Sequence, residues 1–138
     1  MMKKSILLIA SLFVLFACSG DDDSGTPDTG ILGEWKLMKS KQFDYSGDGK
    51  IVETDFSKEN IIYHFMEEGI LRLEKKSNWH DAGDHTYFIS ISCINKTETN
   101  DICYIKINDS DWSFDTTNSV MTIGISFLDG PDLFFEKQ

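Results

Sequence analysis

Residues 44–55 read DYSGDGKIVETD, with oxygen-bearing side chains at the first, third, fifth and twelfth places and glycine at the sixth. A twelve-residue calcium loop takes oxygens from positions 1, 3, 5, 7 and 12 and needs glycine at 6 for its sharp turn. The ligands so mapped are Asp44, Ser46, Asp48, the Lys50 carbonyl and Asp55, with Gly49 at the turn. Ile51, at position eight, suits the short strand that such loops carry. The plainer reading is a turn, since Gly47-Asp48-Gly49 alone would reverse the chain and leave the acids in water. Aspartate at the twelfth place grips less surely than glutamate. Any Ca²⁺ held here would bind weakly, at about 10⁻⁴–10⁻³ M, and would stiffen a long insertion rather than catalyse.

A second loop, NWHDAGDH, crowds His80, Asp81, Asp84 and His85 into six positions. Four such groups could hold zinc. The commoner case is a polar, glycine-containing loop whose charges face water. Little else suggests catalysis. There is no Gly-x-Ser-x-Gly elbow and no identifiable triad. His64 alternates with Tyr63 and Phe65 and should point outward, and Glu67-Glu68 sits in a turn. We therefore expect a protein that is not an enzyme, with Ca²⁺ favoured over zinc as a candidate cofactor.

The N-terminus speaks to location. Lys3 and Lys4 precede an uncharged, largely apolar run from Ser5 to Ala17, too short for a membrane span of about 20 residues. It reads as a signal peptide over residues 1–17. Leu15-Phe16-Ala17-Cys18 resembles a bacterial lipobox, although Phe16 is bulkier than the usual occupant. That resemblance implies cleavage before Cys18, diacylglycerol on its sulfur and an acyl chain, such as palmitate, on the new amine. Such chains contribute about 0.8 kcal/mol per buried methylene, so two or three anchor a protein firmly.

Residues 18–30 follow as a flexible acidic tether, rich in Ser, Gly, Asp and Thr. Its SGDDD tract resembles the export signal of lipoproteins on the outer face of the outer membrane in some diderm bacteria. The expected location is thus the outer membrane, exposed at the surface. The signal peptide holds two of the 13 Lys+Arg and none of the 23 Asp+Glu, so its loss takes the net charge from −10 to −12. That balance disfavours nucleic acid, whose binding depends on neutralising phosphates with Lys and Arg.

Residues 31–138 form one domain of ordinary size. Apolar residues recur with a period of two, broken by turn residues, as in a chain of hairpins. Eight strands are expected, at about 34–43, 60–66, 70–76, 85–95, 102–108, 111–115, 120–127 and 132–136. Inward positions are Trp35, Leu37, Ile61, Tyr63, Phe65, Leu71, Leu73, Tyr87, Ile89, Ile91, Cys93, Cys103, Ile105, Ile107, Trp112, Phe114, Met121, Ile123, Ile125, Phe127, Leu133 and Phe135. Only TDFSKEN, residues 54–60, could make a helical turn, capped by Thr54 or Asp55. Hairpins with one apolar face each bury it without open edges by closing into an up-and-down antiparallel barrel.

A hairpin centred on Glu98 would set Cys93 opposite Cys103 on the apolar face. Opposed residues about 4.5 Å apart at Cα can form a disulfide. The alternative is two buried thiols on neighbouring strands.

Gly33-Glu34-Trp35 matches the Gly-x-Trp that opens the first strand of lipocalins, and WKLMKS, SDWSFDTTNSVMTIG and the terminal FFEKQ resemble lipocalin-like domains of bacterial surface lipoproteins. The resemblance implies an all-β, eight-stranded, up-and-down lipocalin-like barrel with Trp35 closing one end. The 44–55 stretch by itself resembles dockerin-type loops, which use aspartate at the twelfth place. The implied function is binding of a small apolar ligand inside the barrel. The alternative is an accessory or inhibitor module that meets a protein partner through its loops, because ten Phe and three Trp could simply fill the interior.

Overall fold

The computed structural model describes residues 30–46, 49–90, 103–125 and 128–138. Within them run nine strands: β1 Gly33–Asp44, β2 Lys50–Asp55, β3 Ile62–Met66, β4 Ile70–Leu73, β5 Gly83–Ile89, β6 Cys103–Ile107, β7 Ser110–Thr117, β8 Val120–Gly124 and β9 Asp132–Lys137. Every pairing is antiparallel. From β3 to β9 each strand pairs with the next in the chain, and β1 pairs with both β3 and β9. Eight strands therefore close an up-and-down barrel, and β2 lies outside it, paired among the described residues with β1 alone.

The alternation in sequence explains the inside. Trp35, Leu37, Tyr63, Phe65, Leu71, Leu73, Ile105, Ile107, Met121, Ile123, Leu133 and Phe135 are all at most 1% exposed. Tyr63 and Phe135 meet edge to face with ring centres 4.8 Å apart, and Phe65 meets Tyr87 at 5.1 Å. An eight-stranded barrel is only just wide enough for its own side chains, and these large residues occupy that width.

The ninth strand follows from an irregularity in β1. Its register against β9 shifts between Leu37 and Lys39, a bulge at Met38 that reverses which residues face inward. Before it, Trp35 and Leu37 point in; after it, Ser40 is the buried residue, while Lys39 and Lys41 lie on the outer side over the Phe134 ring. The other edge of β1 changes partner at the same place. Leu37 N donates to Ile61 O, whereas Met38 O accepts from Phe56 N. Beyond that point β2 takes the position that β3 holds lower down, with Ser40 opposite Thr54 and Asp44 opposite Lys50. The result is a two-stranded flap rising from the rim.

Residues 54–60 make no helix. They end β2 and continue as a turn, in which Asp55 Oδ1 accepts from Ser57 N at 2.8 Å. The Glu67–Gly69 turn is a single 3₁₀ turn, with Gly69 at φ +73°. A methyl group at Gly69 would lie 2.7 Å from the Tyr87 carbonyl oxygen. The left-handed backbone alone costs a side chain roughly 1–2 kcal/mol. Gly69→Ala should therefore lower the urea midpoint by an amount equivalent to about 2 kcal/mol or more; an unchanged midpoint would contradict this turn geometry.

Candidate functional site

The barrel has two differently built ends. At one, Trp35 Nε1 donates to Ile31 O at 2.6 Å, and Lys137 Nζ sits 5.3 Å from the centre of the Trp35 ring. A segment before β1 and the last strand thus meet on the tryptophan that opens β1. The other end is closed by the loop between β4 and β5. Tyr63 Oη lies 2.8 Å from Ser77 Oγ and 2.9 Å from His80 Nδ1. Ser77 Oγ also accepts from the backbone N–H groups of Trp79 and His80, at 3.1 and 2.9 Å. The His80 ring packs beside Trp112, with centres 5.4 Å apart. The buried Trp112 indole N–H finds no hydrogen-bond partner among the described residues.

The residues of the NWHDAGDH loop part company in space. His80 is buried, whereas a water-facing loop was expected. His85 Nε2 lies 2.8 Å from Asp81 O, its Nδ1 2.8 Å from Asn108 Nδ2, and Asp84 is held by both Nε and Nη2 of Arg72. The Arg72 guanidinium holds the Asp84 carboxyl below its ordinary range. Among the described residues, no three His, Cys, Asp or Glu side chains are grouped to hold a metal. His64 faces outward, 4.0 Å from Glu34.

The twelve-residue loop is arranged as a hairpin. Asp44 ends β1 opposite Lys50, and its Oδ1 accepts from both the N–H and the hydroxyl of Ser46, at 2.8 and 2.6 Å, which lowers the Asp44 pKa. Asp55 stands at the far end of β2, opposite Lys39. Five strand steps from Lys50 to Asp55 amount to about 17 Å. The structure therefore groups Asp44, Ser46 and Lys50 but places Asp55 away from them. Asp48 lies outside the described residues.

Cys103 is buried inside the barrel, opposite Phe114. Cys18 and Cys93 lie outside the described residues. The β5–β6 register sets Ile89 opposite Ile105, two residues from what a hairpin centred on Glu98 requires. A shift of two keeps every side chain on its own face.

Two surface clefts mark the ends. One, of about 510 Å³, opens beside the Glu67–Gly69 turn, with Leu32, His64, Met66 and Ile70 on its walls. The other, of about 340 Å³, lies between the inner side of the flap and the Ser77–His80 loop, and includes Gln42, Asp44, Val52, Thr54, Asn78 and Trp79. No protein-family model, curated protein or solved structure matches the chain. Sequence reasoning missed both the flap and the His80 plug; Ser77, three residues before His80 and alternating with Trp79, was the available signal for the plug.

Burial, with a smaller contribution from nearby His85, pushes the His80 pKa down from 6.5 to about 4. The folded chain accommodates the neutral ring, and the unfolded chain takes up the proton more readily. Stability contributed by His80 is thus complete above about 6.5 and declines as pH falls toward 4, by up to about 3 kcal/mol. Urea midpoints measured across this range should fall with pH, and the His80→Gln variant should show a flatter profile. Equal slopes for both chains would contradict the buried neutral ring.

Proposed function

We propose that the chain is a lipid-anchored, surface-exposed outer-membrane protein with a lipocalin-like barrel, and that it binds its target at the flap rim without catalysis. The observation that carries this reading is the dense burial of large side chains inside the barrel among the described residues. Twelve large side chains that are at most 1% exposed occupy the space where a barrel of this kind would hold an apolar ligand. This favours a target met through the loops over a small apolar ligand within.

Other observations support the same reading. The contacts of Trp35 with Ile31 and Lys137 at one end of the barrel support the lipocalin-like reading of Gly33-x-Trp35. The Leu15–Cys18 lipobox supports the anchor, and the acidic mature chain supports a target other than nucleic acid. The exposed aromatic and aliphatic residues Phe43, Tyr45, Ile51 and Val52 gather on the flap, as recognition surfaces often do.

Two measurements test the proposal. Cells fed labelled palmitate should label the chain, and Cys18→Ser should remove the label and release the chain from the membrane fraction. A fluorescent fatty-acid probe should show no saturable uptake by the folded protein. Uptake that is lost on enlarging an inward residue, as in Ile123→Trp, would place the ligand inside and overturn the rim reading.

A further inference from the structure

The cleft behind the flap differs in chemistry from the barrel core beneath it. Five of its eight lining residues are polar. Gln42 and Asn78 offer amides and Thr54 a hydroxyl; among the described residues no hydrogen bond engages these three side chains. Trp79 supplies a partly exposed aromatic plate. That plate is held in place from two directions: Phe56 meets it edge-on at 5.6 Å, and the Trp79 backbone N–H is bonded to Ser77 Oγ.

The lining narrows the class of ligand. It contains no Lys or Arg, and Asp44 adds a negative charge, so phosphates and carboxylates are disfavoured. The Asp44 carboxylate already accepts two bonds from Ser46, which weakens its appeal to a cation. A wholly apolar ligand would strip water from the amides and the hydroxyl without replacing its hydrogen bonds. A ring with one face of C–H groups and an edge of hydroxyls satisfies both kinds of wall. Its apolar face lies on the indole, and its hydroxyls exchange bonds with Gln42, Thr54 and Asn78. The volume of about 340 Å³ is at the lower end of the roughly 300–1,000 Å³ that small-molecule sites occupy.

We propose that the cleft between the β1–β2 flap and the Ser77–His80 loop binds a short uncharged saccharide, with Trp79 as stacking platform and Gln42 and Asn78 as hydroxyl partners. This rests on the rim reading above and names its ligand class. The test is calorimetric titration of the full chain, in a detergent without a sugar headgroup, with maltose, cellobiose, lactose and N,N′-diacetylchitobiose. At least one should give saturable heat. Trp79→Ala should abolish it, and Asn78→Ala, an exposed change that spares the Phe56 contact, should weaken it about tenfold. Silence with every sugar, undiminished binding by both variants, or heat only from inorganic phosphate or tetramethylammonium would overturn the assignment. If sugars are silent and the fatty-acid probe is also excluded, the saccharide assignment alone fails. If the probe enters the barrel, the rim reading fails with it.

Discussion

Strand β1 is the constraint on which the molecule depends. Among the described residues it is the one strand whose hydrogen bonds serve three neighbours. Its lower half joins β3 to β9 and so closes the barrel; its upper half keeps β9 but exchanges β3 for β2. A regular strand could not do this while keeping its charges in water. Strict alternation from Trp35 and Leu37 would carry Lys39 and Lys41 into the interior, where an unpaired ammonium is very costly. The extra residue at Met38 reverses the facing, so that both lysines emerge beside Glu53 and over Phe134. Their attraction to Glu53 is that of exposed ion pairs and is modest. Their chief effect is to make the outer side of the flap compatible with solvent.

Once the barrel closes at β1, its cross-section is set and the aromatic residues fill it. The polar group of Tyr63 then needs a partner at the end of the tube, and burial alone raises its pKa. Ser77 and His80 supply that partner from the loop above. The loop is held by this network, and Trp79 in its middle is left at the rim. The cleft and the plug are thus two sides of one loop: His80 faces the core and its neighbour faces the flap.

Much of the barrel was legible because inward residues alternate so regularly. Ile105 and Ile107, Met121 and Ile123, and Leu133 and Phe135 each follow the period-two rule and are buried. What was not legible arose where that rule has no purchase. Every residue of β2 is exposed, so KIVETD carries no inward face to betray a strand. Asp55 showed an apt residue type, but an extended backbone carries it away from Asp44, a distance that spacing in sequence does not reveal. His80 was read as a surface group because its neighbours are polar. Only the tertiary placement of Tyr63, seventeen residues earlier, explains its burial.

The chain enters the described barrel at Gly30, where Lys137 Nζ bonds the carbonyl, beside the Trp35 closure. The flap tip lies at the other end of β1, eleven residue steps or roughly 35 Å away by strand rise. Chain entry and cleft thus sit at opposite ends of the barrel, which is the spacer that separates them.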